Sequence, residues 1–178
     1  MKEIVFSGFG GQGVLTSGLI VSDIAASKDL KVTWMPSYGS AMRGGTANCT
    51  VKYGESKIYN PSLEEPDLLL AMNNPSFKAF INRVKPGGVV LINSELVTCK
   101  TDDREDVHII SIPCNQIANN LDHPKGANIV MTGAIVKLMN DFDKNEAISA
   151  MTKMFAKKGK NRFQEKNQLA FEAGFNFV

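Results

Sequence analysis

The stretch Glu3-Ile4-Val5-Phe6-Ser7-Gly8-Phe9-Gly10-Gly11-Gln12-Gly13 decides the fold. Its first five residues form a short apolar strand, and the strand runs straight into the pattern GxGxxG. From Val14 to about Ser27 the apolar period becomes helical: Val14, Gly18, Val21 and Ala25 share one face, with Leu15, Leu19 and Ile20 beside it. Strand, glycine loop and helix in that order open a βαβ unit. In this setting Gly8 permits the tight turn, Gly10 lets backbone approach a ligand, and Gly13 lets the helix pack close to the sheet. The free N–H groups at the helix start then face any anion held there.

Moving outward, Lys31–Met35 reads as a strand stopped by Pro36, and Thr46–Tyr53 as an alternating strand. Gly54-Glu55-Ser56 reads as a turn to a short partner around Ile58 and Tyr59. Asp67–Met72 and Val89–Asn93 are continuous apolar runs, as expected of strands buried on both faces. Val107–Ile112 makes a further strand, halted by Pro113. Between these, Asn74-Pro75 caps a helix through Phe77, Phe80 and Ile81. Beyond Pro113 the chain is mostly helical. Asn128 caps Ile129–Met139, and Lys144–Met154 and Gln164–Ala173 follow. The expected architecture is α/β: one doubly wound, mostly parallel, Rossmann-like sheet over 1–178 with helices on both faces.

Composition agrees with one globular domain. There are 178 residues, 43% hydrophobic, with a formal net charge of +2. That length supports a core without disulfide or metal staples. The near-neutral balance gives no long-range reason to expect nucleic acid or an acidic lipid surface as partner. No apolar run approaches the ~20 residues that span a bilayer. Met1–Phe6 enters a strand at once, without a signal-peptide core, so a cytoplasmic protein is expected. Cys49, Cys99 and Cys114 are three, widely spaced, with no CxxC, so no metal or cluster ligand set is expected. His108 reads as a solvent-facing strand residue, and His123, before Pro124, as part of a turn. The run Lys157-Lys158-Gly159-Lys160 reads as a solvated loop. Ile129–Met139 is apolar nearly all round and must be covered by the domain or by a partner. With Met151 and Met154 read as surface, self-association as a homodimer is expected.

A nicotinamide enzyme needs an acid at the end of the second strand, about 20 residues past the loop. Thr33-Trp34-Met35-Pro36 offers none, and no Arg stands there for a 2′-phosphate. Dinucleotide binding is disfavoured; anion or phosphate binding is not. Tyr53 and Lys57 match the Tyr-x3-Lys spacing of short-chain dehydrogenases, but the pair lies in a hairpin with Gly54, not on a helix face, and is discarded. The second unusual segment, Pro36-Ser37-Tyr38-Gly39-Ser40-Ala41-Met42-Arg43-Gly44-Gly45-Thr46-Ala47-Asn48-Cys49, leaves the carboxyl end of the second strand. Ligands of open α/β sheets gather at that rim. There Arg43, followed by Gly44 and Gly45, offers a fixed cationic fork beside a permissive backbone.

The glycine loop, Ser37-Tyr38-Gly39 and Met42–Cys49, in this order, resemble the gamma subunit of 2-oxoacid:ferredoxin oxidoreductases. The resemblance continues in Met72-Asn73-Asn74-Pro75-Ser76, Gly126-Ala127-Asn128, Gly133-Ala134 and Asn167–Gly174. Ser40-Ala41 departs from it, standing where the family usually has Pro-Glu. The resemblance implies a multi-subunit enzyme that oxidatively decarboxylates a 2-oxoacid on thiamine diphosphate, passes electrons through iron–sulfur clusters to ferredoxin, and forms an acyl-CoA. It places thiamine diphosphate between alpha and beta subunits and the clusters in beta or delta chains. This chain then carries no catalytic residue and no metal. Its candidate ligand-positioning residues are Gly8, Gly10, Gly11, Gln12, Gly13, Ser37, Tyr38, Arg43, Gly44 and Gly45, bordering CoA or its phosphates. By overall look the resemblance leans towards 2-oxoglutarate or a branched-chain acid rather than pyruvate. Two other readings stay open: a stand-alone oxidoreductase binding NAD or a flavin, and a Rossmann-like nucleotide- or anion-binding module.

Overall fold

A computed structural model describes residues 1–38, 46–98, 104–159 and 161–178, and for Tyr38 the backbone only. Six strands form one sheet: β1 (Lys2–Phe9), β2 (Lys31–Tyr38), β3 (Thr46–Gly54), β4 (Leu68–Ala71), β5 (Val89–Asn93) and β6 (His108–Ile112), in the order β2-β3-β1-β4-β5-β6. β1, β4, β5 and β6 pair in parallel, while β3 runs antiparallel between β1 and β2. β2 therefore points the same way as β1 without pairing to it. The helices are α1 (Val14–Ala26), α2 (Asn74–Phe80), α3 (Cys114–Asn120), α4 (Ala127–Met139), α5 (Lys144–Lys157) and α6 (Gln164–Phe177).

The two sheet faces are unequal. Ile4, Phe6, Leu68, Leu70 and Leu91 face a large core built with α1, α3, α4, α5 and α6. Val5, Leu69, Ala71, Val90 and Ile92 face a smaller one closed by Phe77 of α2 and by Ile81, Val84, Val97 and Val107. The sheet is doubly wound, but one face carries nearly all the helical mass.

Several local expectations change. Pro36 does not stop β2; the strand continues to Tyr38. β2 is the sheet edge, where a residue without an N–H costs no central ladder bond. No strand forms at Ile58 and Tyr59. The cap of α2 is Asn73, whose side chain accepts from Ser76 N at 2.9 Å, one residue before the position expected. α3 is not among the elements expected from the sequence.

The largest change concerns α4. It is buried by its own chain, packed against α1, α3 and α6. Gly133 of α4 and Gly174 of α6 form the crossing: a Cβ on Gly133 would stand 2.0 Å from the Phe171 carbonyl oxygen, and one on Gly174 1.7 Å from that of Val130. Met151 and Met154 are buried in the same core. The apolar surface on which self-association was expected is thus interior.

Candidate functional site

The glycine loop stands at the carboxyl ends of β1, β4 and β5. It opens with a β-turn in which Gln12 N donates to Phe9 O at 3.1 Å, and Gly11, the third residue of that turn, has φ +97°. That is the position where a type II turn requires a positive φ and so favours glycine. Gly11 is exposed, and nothing stands within 4 Å of where its Cβ would be. The crest of the loop is open.

The other glycines serve closeness. A Cβ on Gly8 would lie 2.8 Å from Gln12 Oε1, 2.9 Å from Val14 Cγ1 and 3.1 Å from Met72 Cβ. Gly13 has φ +75° and sits against Asn128 at the start of α4, where a Cβ on it would stand 2.6 Å from Asn128 Cγ. Its neighbour is thus a second helix, not the sheet as expected. Asn128 does not cap α4. It donates from Nδ2 to Gly13 O at 3.2 Å, and its own carbonyl accepts from Ser17 Oγ at 3.1 Å. Asn128 thereby ties the N-termini of α1 and α4 together. Both helices have 13 residues, neither has a side-chain cap, and neither has an acid in its first turn. Two helix starts converging without acids make the rim electropositive.

Gln12 turns inward. Its Oε1 accepts from Phe9 N at 2.6 Å and from Asn73 Nδ2 at 2.9 Å, while its Nε2 donates to Met72 O at 3.2 Å. The side chain fastens the β1 loop to the turn after β4, so its part is to position the loop. No local signal marks this role, because Gln12 and Asn73 are 61 residues apart.

Ser37 and Tyr38 end β2 at the same level, Ser37 opposite Asn48 and Tyr38 opposite Ala47, which in turn pair with Ser7 and Gly8. Two strand spacings, about 10 Å, separate them from the loop. Ser37 is exposed on the face away from α1, on the side of Ser7. Arg43, Gly44 and Gly45, like Ser40-Ala41, lie outside the described residues. Three buried polar atoms of this rim, Ser7 Oγ, Ser76 Oγ and Asn93 Nδ2, have no hydrogen-bond partner among the described residues. Buried polar groups are normally paired, and these three stand at the carboxyl end of the sheet, while two others, Thr33 Oγ1 and Trp34 Nε1, lie on β2.

Among the described residues no acid–base pair or activated nucleophile emerges. Burial pushes the Cys49 and Cys114 thiols up to about 12, so both stay protonated at neutral pH. Tyr53 is buried and donates to Asp141 Oδ2 at 2.8 Å; burial first, then that partner, drives its pKa far above the usual range. His123 is buried, with Nε2 2.9 Å from Asn167 Oδ1, and joins the turn before α4 to α6. His108 is exposed on β6. Among the described residues no three His, Cys, Asp or Glu side chains gather as metal ligands, and no helix is long and apolar enough to cross a membrane. The donor set suits an anion: backbone N–H groups at two helix starts, an open glycine crest, and no acid in the first turn of either helix. Gly13→Ala is therefore expected to pry α4 from α1 and force a strained φ. It should cost about 2–4 kcal/mol of stability, read as a lower denaturant midpoint at unchanged m-value.

Known proteins resemble this chain in sequence and fold. The chain is 35% identical over 176 residues to the 2-oxoglutarate synthase subunit KorC of Methanocaldococcus jannaschii, covering 98% of this chain and 92% of that one. It is 33% identical over 177 residues to the ketoisovalerate oxidoreductase subunit VorA of Methanothermobacter marburgensis, covering 99% of this chain but 36% of that one. The chain thus spans about a third of the length of VorA. The crystal structure of the gamma subunit of a keto/oxoacid ferredoxin oxidoreductase from Geobacter sulfurreducens superposes with a TM-score of 0.83 at 30% identity, covering 99% of this chain and 97% of that one. Residues 3–177 match the family model described as pyruvate ferredoxin/flavodoxin oxidoreductase, and the chain belongs to that family.

Proposed function

We propose that this chain is the gamma-type subunit of a cytoplasmic, thiamine-diphosphate-dependent 2-oxoacid:ferredoxin oxidoreductase. The complex takes a 2-oxoacid and CoA to an acyl-CoA and CO2, and two electrons pass through iron–sulfur clusters to ferredoxin. The substrate class is 2-oxoglutarate or a branched-chain 2-oxoacid, in keeping with the names of the relatives. Alpha and beta subunits, with a delta subunit in some members, hold the thiamine diphosphate and the clusters. This chain holds neither. It presents the carboxyl rim, where Gly10, Gly11 and Gly13 offer backbone donors, Gln12 fixes the loop, and Arg43 with Gly44 and Gly45 borders CoA or its phosphates. Ser37 and Tyr38 close the side nearer β2. The observation that carries this reading is the near full-length match to a KorC subunit, together with a rim built for an anion.

The test is isolation of the affinity-tagged chain, under anoxic conditions, from the cell that makes it. Larger subunits are expected to co-purify, and the eluate should reduce a viologen dye only when both a 2-oxoacid and CoA are supplied. A chain recovered alone, with no such activity, would favour the stand-alone anion-binding module instead.

A further inference from the structure

The two edges of the sheet are defended unequally. β2 begins with the exposed Lys31 and carries Pro36, and both discourage another strand from adding there. β6, with the sequence His-Ile-Ile-Ser-Ile, has neither. It pairs with β5 alone, and among the described residues no other element packs closely on it. His108 N donates to Gly88 O at 2.9 Å, and Ile112 O accepts from Ser94 N at 3.0 Å. His108, Ile110 and Ile112 therefore turn their backbone groups to β5. Alternation along the strand leaves the N–H and C=O of Ile109 and Ser111 facing away from the sheet.

The side chains of this edge are apolar as well as open. Ile109 is 38% exposed, and Leu96, in the turn that Ser94 ties to the end of β6, is 42% exposed. An apolar edge with no lysine, proline or bulge is a template for another chain. The strand is also its own complement. Set antiparallel to itself about Ile110, it brings Ile109 opposite Ser111 of the second copy. These are the residues with outward backbone, so each pair exchanges both of its N–H···O=C bonds. Ile110 meets Ile110 of the second copy on the helix-rich face, where it is half-buried in each. In this register Arg104–Asp106 fall against Cys114–Gln116, and the whole of α3 carries no charged residue. Glu95, the carboxylate at that end, already accepts from Asn115 N at 2.7 Å. The register thus opposes no like charges, and it turns Leu96 of one copy towards Ile109 of the other.

We propose that β6 is the interface for a second copy of this chain, two β6 strands pairing antiparallel about a two-fold axis at Ile110 and joining two six-stranded sheets into one. Such a contact is isologous and closes on itself, so it ends at the dimer and builds no fibre. The second copy is the occupant because each half supplies what the other requires: outward donors and acceptors in matching register, exposed apolar residues, and an uncharged helix beside the seam. Two five-residue strands cover less than the about 1,200 Å² of a stable complex. The dimer is therefore weak and grows with concentration. It is independent of any ligand at the glycine loop.

The test is sedimentation equilibrium of the full chain over a range of concentrations, joined to oxidative cross-linking. The wild type should pass from monomer to dimer as its concentration rises. Ile109→Lys places a lysine on the edge, and Ser111→Pro removes one outward N–H from each copy without touching the β5 ladder. Each should raise the dissociation constant about tenfold or more. Met35→Lys, at an exposed position on the other edge strand, should leave it unchanged. Circular dichroism like that of the wild type shows that these exposed substitutions keep the fold. Ile110 faces its own copy at a non-hydrogen-bonded pair, where Cα atoms stand about 4.5 Å apart, within reach of a disulfide. In a Cys99→Ser background Ile110→Cys should therefore cross-link to itself on oxidation, and Met35→Cys should not. A wild type that stays monomeric at millimolar concentration overturns the proposal. So does a dimer that Met35→Lys weakens and Ile109→Lys does not, or the absence of the Ile110→Cys cross-link. If Ile110→Cys instead cross-links to a larger subunit in the affinity-purified complex, the second copy is overturned as the occupant of this edge.

Discussion

Gly174→Ala is expected to unfold the protein more readily than any conservative change elsewhere. Its Cβ would arrive 1.7 Å from the Val130 carbonyl oxygen, with Val130 C at 2.6 Å and Cα at 3.1 Å. All three are atoms of the α4 backbone, which cannot rotate aside as a side chain can. α4 and α6 must then separate along their whole contact, or the chain must bend. Overpacking of ordinary cores costs about 1–3 kcal/mol, and a clash with rigid backbone should exceed it. A loss above about 3 kcal/mol corresponds to about 6–12 °C in Tm for a chain of this size. Gly133→Ala, placed 2.0 Å from the Phe171 oxygen on the other side of the crossing, should behave alike. Gly159→Ala is the comparison: φ is +68° but nothing lies within 4 Å, so only backbone strain of about 1 kcal/mol is expected. Thermal melts of the three variants check the order. Equal and small losses would mean that the two helices do not cross at these glycines.

Lys52→Ala should produce the second large loss, at the opposite end of the sheet. Lys52 is 1% exposed and lies directly across β1 and β3 from Glu3, itself 8% exposed. Its Nζ stands 3.6 Å from Glu3 Oε2 and pairs closely with Glu64. Glu3 also accepts from Glu64 N at 2.6 Å and donates its own N–H to Asp67 Oδ2 at 2.7 Å. Removing the ammonium leaves a carboxylate buried without its cation, a change that costs about 3–5 kcal/mol. Lys52→Met with Glu3→Gln removes both charges and keeps the acceptor for Glu64 N, so it should recover most of the loss. Denaturant titration of both variants at pH 7 decides this. A double variant no better than the single one would show that packing, not charge, is at stake. Acidification should erode the same region mildly. Lys52 beside Glu64 holds that carboxyl below the usual carboxylate range, so its contribution is present above the ordinary value of 4.5 and fades as the pH falls through the lower, folded one.

Much of the scaffold was legible because it rests on local signals. The apolar runs at Leu68–Ala71 and Val89–Asn93, the strand–glycine loop–helix opening and the amphipathic α5 all state their own period. What was misread depended on partners distant in sequence. Pro36 reads as a strand stop until β2 is known to be an edge. Asn128 reads as a cap until Gly13, 115 residues away, takes its Nδ2. The α4 helix reads as a partner surface until α6 covers it through Gly133 and Gly174. Of the site, the glycine loop was plain, but its fastening through Gln12 and Asn73, 61 residues apart, was not.

The carboxyl rim of this chain is proposed to position CoA for the oxidoreductase. The direct test is the CoA dependence of viologen reduction by the assembled complex, with 2-oxoacid saturating, for wild type, Arg43→Ala, Arg43→Lys and Gly10→Ala. A charge-assisted hydrogen bond to phosphate contributes about 1.5–3 kcal/mol. Arg43→Ala should therefore raise the half-saturating CoA concentration about ten- to a hundredfold, with the half-saturating 2-oxoacid concentration unchanged. Arg43→Lys should restore it only in part, since an ammonium lacks the planar fork. Gly10→Ala should raise it further, because a side chain there obstructs the backbone approach itself. Unchanged CoA dependence in correctly assembled Arg43→Ala and Gly10→Ala complexes would contradict the claim and leave the rim a structural edge or a subunit contact.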